Sequence, residues 1–372
     1  MTKYALVAPC LFGVEGILAD ELKRIGAENV RAENGRVLFS GDVSMIATAN
    51  INSRFAERIL LNLGQFKATS FTELFDNVKK IPLENYIGKD DAFPVKGWSL
   101  NSQLHSIPDC QSIIKKACVE RLKTVYKTNW FEETGPVHQI QFSIMKDQVT
   151  IMLDTSGHGL HNRGYRANSN AAPIKETLAA AMCDLARIYP DTQIFDPFCG
   201  SGTILIEAAL MAKKQAPGLR QFFAAERFGF IPENVWREAR QAAMERILPN
   251  IEFRAVGFDI DPAAVKLTLE NAKKAGVEKY VTAEVRDVKD FKLPEGRTLV
   301  ITNPPYGERL LDIKAAEELY KTMGSVFPKE KGKKYYIISP HDEFEKFYGT
   351  APDKKRKLYN GMIKCNLNMY FK

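Results

Sequence analysis

Histidine is scarce in this 372-residue chain, with five, and none of the six cysteines forms a C-x-x-C pair. Clusters with disulfide or zinc spacing are therefore missing, no metal site is expected, and the simplest compartment is a reducing cytosol. Long apolar runs are missing too, and nothing reaches the roughly 18 residues that a membrane span needs. The first stretch, MTKYALVAPCLFGVEGILADEL, is only mildly apolar. Pro9 breaks it and Glu15, Asp20 and Glu21 follow, so it reads as a strand and an amphipathic helix rather than a signal peptide. Internal repeats and low-complexity tracts are absent. Charge of one sign is also missing from the first 160 residues, which hold 18 basic and 18 acidic side chains. The whole net charge of +7 lies beyond them. A polyanionic partner is permitted, met mainly by the C-terminal half.

What is present is globular: 45% hydrophobic and 26% charged residues, enough for two or three domains. Residues 1–64 read as β-α-β-β, with an Asn34-Gly35 hairpin turn and a helix over 43–61. Residues 65–155 read as a second α+β unit. It has a strand in AFPVKGWSLNSQL, a helix in CQSIIKKACVERLKTVY and two alternating strands joined at Lys146-Asp147. Both units look like sheets with helices on one face. Residues 156–175 form a linker and lead-in segment, with Pro173 near a helix start. From Thr192 the strands TQIFD, FRAVGFD, VTAEVRD, TLVITN and KYYIISP alternate with helices, which implies a doubly wound parallel sheet over 156–372. Two features break that pattern: an insertion at 215–250 and a final antiparallel hairpin turning at Asn360-Gly361.

The chemistry sits at strand ends. In IFDPFCGSGT, Gly200 and Gly202 let backbone approach a ligand at a helix start. A dinucleotide fingerprint wants a third glycine where this chain has Leu205, and a phosphate-binding loop wants a lysine. Asp196, just before the glycines, suits a cationic group; S-adenosylmethionine carries an ammonium and a sulfonium. Asp259 ends the next strand, where an acid can accept both ribose hydroxyls. Asp261 reads as a helix N-cap ahead of Pro262. Asp287 follows the third strand, where a carboxylate can take an adenine amino group. In VITNPPYGERL, the residue before a proline is pushed to extended geometry. The Asn303 side-chain oxygen and the Pro304 carbonyl can then accept from one amino group, and an exposed Tyr306 can stack on a planar base. Each of these residues alone also fits a cap, a turn or an ordinary surface side chain.

DPFCGSGT, GFDID, RD and NPPYGERL in this order resemble the Rossmann-like S-adenosylmethionine-dependent amino-methyltransferases. HNRGYR followed by APIKETLAAA narrows the resemblance to the subgroup that methylates guanine N2 in RNA, the bacterial 23S rRNA enzymes above all. That resemblance implies a ferredoxin-like domain at 1–64, an RNA-binding THUMP domain at 65–155 and a methyltransferase domain at 156–372. It implies S-adenosylmethionine as cofactor, S-adenosylhomocysteine as product, and 23S rRNA or its precursor as partner. Asp196, Gly200 and Gly202 would hold the methionine part, Asp259 ribose and Asp287 adenine, with Pro173 and Thr177 near the cofactor. Asn303, Pro304 and Tyr306 would hold the base. Some relatives fuse a second methyltransferase domain, and this chain is expected to lack that activity. Lys115, Lys116, Arg121 and Lys123 lie off the apolar face of the helix near 111–127 and can track phosphates or be a solvated surface. Arg163 and Arg166 either reach RNA or anchor the linker. The alternatives are a tRNA guanine-N2 enzyme, a DNA adenine-N6 enzyme, which leaves the first 160 residues unexplained, or a non-catalytic RNA-binding assembly factor.

Overall fold

The computed structural model describes residues 2–166, 174–306 and 313–371. Its first sheet has seven strands: β1 (Tyr4–Pro9), β2 (Glu28–Glu33), β3 (Arg36–Gly41), β4 (Leu60–Lys67), β5 (Val95–Leu100), β6 (Ile140–Met145) and β7 (Gln148–Asp154). They run in the order β2-β3-β1-β4-β7-β6-β5. The two separate sheets expected from the sequence are thus one, because β4 pairs with β1 on one side and β7 on the other.

The helix expected over 43–61 makes this possible by stopping early, at Asn52. The Glu21 carboxylate accepts from the Ser53 hydroxyl (2.7 Å) and the Arg54 N–H (2.8 Å), which pulls the chain into extended geometry. Leu60 and Leu61 then enter the sheet as a strand. Helices Glu15–Arg24 and Val43–Asn52 bury Leu18, Leu22 and Ile46 on one half of the sheet. Helices Phe71–Lys79 and Ile107–Tyr126 cover Phe142, Ile144 and Ile151 on the other.

The second sheet comprises β8 (Gln193–Asp196), β9 (Arg254–Asp259), β10 (Val281–Val285), β11 (Thr298–Thr302), β12 (Lys333–Ser339), β13 (Lys354–Asn360) and β14 (Ile363–Tyr370). Its order is β10-β9-β8-β11-β12-β14-β13. The first five are parallel, and β14 is antiparallel to both neighbours. The hairpin turns where Asn360-Gly361 predicts it, with Gly361 at φ +65. No helix among the described residues is long and apolar enough to cross a membrane.

The 215–250 insertion packs back onto the first sheet's helices. The Gly218 N–H donates to the Ile51 carbonyl (2.9 Å), and Arg54 reaches the Gln215 carbonyl (2.7 Å). Inside the insertion Phe223 stacks on Trp236, from helix Glu233–Glu245, at 5.5 Å. The segment that interrupts the strand–helix alternation is therefore a clamp between the two sheets.

Candidate active site

In the second sheet the strand order reverses between β8 and β11, and the crevice at their carboxyl ends is where parallel sheets bind ligands. The register places Asp196 beside Gly257 and Asp259 beside Val285, so the ends of β8, β9, β10 and β11 share one edge. Asp196, Asp259, Asp287 and Asn303 come together there, as their strand-end positions predict.

Asp196 is buried. Its Oδ1 accepts from the Thr302 hydroxyl (2.6 Å) and the Phe198 N–H (3.1 Å), which ties the Gly-rich turn to the residue before Asn303. Burial pushes its pKa up to about 7, against the pull of those two donors, and the nearby Asp259 charge adds to the rise. The turn itself is held from three directions. Gly200 N–H donates to Asp259 Oδ2 (3.0 Å), Thr268 Oγ1 to the Gly200 carbonyl (2.9 Å), and Asn271 Nδ2 to the Ser201 carbonyl (2.9 Å). Gly200 and Gly202 have φ of +54 and +78. A Cβ on Gly202 would lie 2.8 Å from Thr268 Cγ2, so glycine is required for both backbone and space.

Asp259 also accepts from the Asp261 N–H (3.0 Å), and Asp261 caps helix Pro262–Ala275 through the Ala263 N–H (2.9 Å). Asp287 opens a 3-10 turn. The Lys289 N–H (3.0 Å) holds its carboxyl below the usual carboxylate range, and the Lys289 ammonium lies 3.1 Å away. Asn303 is half-buried, and its Oδ1 is buried with no hydrogen-bond partner among the described residues. An amide oxygen left so costs free energy unless a donor completes it.

Tyr306 corrects one expectation. It is 8% exposed rather than an open ring, and its hydroxyl accepts from Asn360 Nδ2 (2.9 Å). Asn360 lies in the terminal hairpin, 54 residues on, so nothing near NPPY signals this bond. Three further residues escaped sequence reasoning. Thr268 and Asn271 are buried polar groups one helical turn apart, a pattern that marks a polar job inside a core. Ile260, between Asp259 and Asp261, is 70% exposed and offers apolar cover at the crevice.

Pro173 lies outside the described residues. Thr177 is buried, and its hydroxyl donates to Glu57 (2.7 Å), a residue of the first sheet's domain. Lys175 (3.1 Å) and His161 (3.0 Å) face the same carboxylate. Burial alone would raise the Glu57 pKa, but His161, Lys175 and Thr177 together bring it down to about 2. A depressed carboxylate stabilises the fold above its unfolded pKa and loses that effect as pH falls. We expect urea unfolding to show Glu57→Gln less stable than wild type by up to about 3 kcal/mol at neutral pH, a difference that fades between roughly pH 4.5 and 2.

The RNA candidates divide. Arg163 is buried, donates to the Leu160 and Arg54 carbonyls, and lies 3.6 Å from the buried Glu207. Arg166 donates to the Ile174 carbonyl (3.0 Å) and Glu176 (3.0 Å). Both side chains are tied into the fold around the linker. On helix Ile107–Tyr126, Lys115 sits 3.4 Å over the Phe93 ring and pairs with Glu133. Arg121 forks onto Glu84, and Lys123 lies 3.4 Å from Glu120. Lys116 is exposed with no such pairing among the described residues.

The family model described as the RMKL-like methyltransferase domain matches residues 163–369. The RlmL ferredoxin-like domain matches 5–60 and the THUMP domain 68–154. The chain is 42% identical over 373 residues to "Putative RNA methyltransferase YpsC" of Bacillus subtilis, covering 100% of this chain and 97% of that protein. It is 33% identical over 375 residues to the ribosomal RNA large subunit methyltransferase K/L of Psychromonas ingrahamii, covering 97% of this chain but 49% of that longer protein. The structure of SMU.472 complexed with SAH superposes with a TM-score of 0.94 at 39% identity, covering 100% of this chain and 98% of that one.

Proposed function

The chain belongs to the RMKL-like methyltransferase family, and from that premise we propose that it methylates the exocyclic N2 amine of a guanine in 23S rRNA. The Asn303 oxygen, buried without a partner among the described residues, carries the reading. It lies directly after β11, across the switch point from the Gly-rich turn, and a nucleobase NH2 group supplies the donor it lacks. The RlmL ferredoxin-like and THUMP domains and the rRNA activity in the name of the longer relative favour RNA over DNA.

The crevice suits S-adenosylmethionine. Gly200 and Gly202 keep the turn free of side chains, Asp196 offers a carboxylate for an ammonium, Asp259 ends β9, and Asp287 follows β10 by two residues. When bound, the cofactor supplies an electrophilic methyl group on sulfur. Asn303 Oδ1 and the Pro304 carbonyl hold the amine by its two hydrogens, which turns its lone pair toward that methyl. Pro304-Pro305 stiffens the corner, and the Asn360–Tyr306 bond fixes the corner's far end. No residue need act as a nucleophile. Proximity and alignment can supply up to about 7–11 kcal/mol.

Incubation with tritiated cofactor and total RNA, ribosomal and transfer, free of N2-methylguanine tests this. We expect label in N2-methylguanosine of 23S rRNA; label in no guanine would reject the proposal, and label confined to tRNA would move it there. The raised Asp196 pKa adds a pH prediction. If its ionised form holds the methionine ammonium, affinity for S-adenosylhomocysteine falls as pH drops below about 7, because a proton must first leave. Asp196→Asn should bind more weakly and lose that dependence, as calorimetry across pH 5.5–8 would show.

A further inference from the structure

The terminal hairpin does more than close the sheet. β12 ends at Ser339, which pairs with Asn366 of β14, whereas the hairpin continues to the Asn360↔Ile363 pair. Three further residues at strand rise carry its tip about 10 Å past the end of β12. β13 runs parallel to the five-stranded part, so the tip stands at the same carboxyl edge as the NPPY corner. Asn360 touches that corner through Tyr306.

The tip carries the composition of a nucleic-acid contact. Met362 is 96% exposed, among the most exposed large apolar side chains of the protein. Lys364 lies opposite Tyr359 in the register, and Lys357 precedes it on the same face of the hairpin. Both lysines are exposed, and among the described residues neither ammonium is in a hydrogen bond or ion pair. The Lys357 ammonium lies 5.5 Å from the Tyr359 ring centroid. Tyr359 packs edge-on against Phe12 at 5.6 Å, and Phe12 is itself 54% exposed. Arg356 donates to the Gly13 carbonyl (2.8 Å), so the loop after β1 props the hairpin from behind. A stiff, braced prong with an apolar point and cationic flanks thus overhangs the corner.

We propose that Met362 is a wedge: it enters the RNA stack where the target nucleotide has left, while Lys357 and Lys364 hold the flanking phosphates. The proposal rests on the base-methylating reading above. An amine inside a duplex cannot reach the buried Asn303 oxygen, so the base must swing out. Apolar side chains, methionine among them, are what proteins insert between base steps to offset that unstacking.

The test compares initial rates of tritium transfer by wild type, Met362→Ala, Met362→Leu and Lys364→Ala. The probes are folded 23S rRNA free of N2-methylguanine and a synthetic single-stranded oligonucleotide around the labelled guanine. We expect Met362→Ala to lose about tenfold or more in kcat/KM on folded RNA, from the unstacking cost no longer offset. It should lose less than about threefold on the single strand, and Met362→Leu should recover most of the rate. Lys364→Ala should raise KM on both probes and flatten the salt dependence. S-adenosylhomocysteine affinity should not move, which also shows the variants folded. Equal rates for Met362→Ala and wild type on folded RNA would overturn the wedge alone. Absence of transfer by wild type to either probe would overturn the base-methylating reading and the wedge with it.

Discussion

Asn303→Ala is expected to lower kcat by about a hundred- to a thousandfold while leaving S-adenosylhomocysteine affinity within about twofold. The reason is local. The Asn303 oxygen is buried without a partner among the described residues, whereas the Gly-rich turn is held by Asp259, Thr268 and Asn271. Truncating Asn303 therefore removes the acceptor proposed for the base and touches none of the groups that hold the turn. Asn303→Asp keeps an acceptor oxygen and should retain more activity than alanine, with a pH dependence of its own. Calorimetry with S-adenosylhomocysteine separates the two effects. Unchanged turnover would mean that the amine is held elsewhere. Lost cofactor binding would mean that Asn303 supports the turn and not the base.

Arg163→Ala is expected to destabilise the protein by about 3–5 kcal/mol, because it strands a buried carboxylate. Glu207 is fully buried, and it faces the Arg163 guanidinium at 3.6 Å and the Tyr165 hydroxyl at 3.0 Å. The same arginine donates to the Arg54 carbonyl (2.6 Å), and Arg54 donates to the Gln215 carbonyl (2.7 Å). The linker, the first domain and the insertion thus meet at one buried charge. The double variant Arg163→Met/Glu207→Leu should recover part of the loss, since a paired charge replaced by apolar groups costs far less than a charge left alone. Denaturant unfolding measures both. RNA affinity of the folded variant should stay within about twofold; a selective loss of RNA binding at full stability would instead make Arg163 an RNA contact.

Much of this was legible in the chain because strand ends obey local rules. A proline fixes the residue before it, a glycine pair fixes a turn, and an acid after each parallel strand falls on one edge by topology alone. Asp196, Asp259, Asp287 and Asn303 needed no more than that to be placed. The misses are all long-range. Tyr306 is capped by Asn360 from a strand that follows an entire β-α unit, so its burial leaves no mark on NPPY. Arg163 sits in a basic-looking HNRGYR stretch that left RNA contact and linker anchoring both open, and its distant partner Glu207 draws it into the interior. The helix expected over 43–61 keeps an apolar pattern throughout. Glu21, 32 residues before Ser53, ends it and hands the rest to β4, which fuses two sheets into one. Thr268 and Asn271 were readable as polar residues on a helix, but not as supports of a turn about 70 residues earlier.

One arrangement underlies the proposed chemistry: an amine held at the Asn303–Pro304 corner, facing the methyl donor beside Asp196. A crystal structure of the protein with S-adenosylhomocysteine and an RNA oligonucleotide carrying the target guanine measures it directly. The predicted result has the guanine N2 within hydrogen-bond distance of both Asn303 Oδ1 and the Pro304 carbonyl, on a line toward the sulfur. A corner turned away from the sulfur, or an N2 bound by other groups, would contradict it.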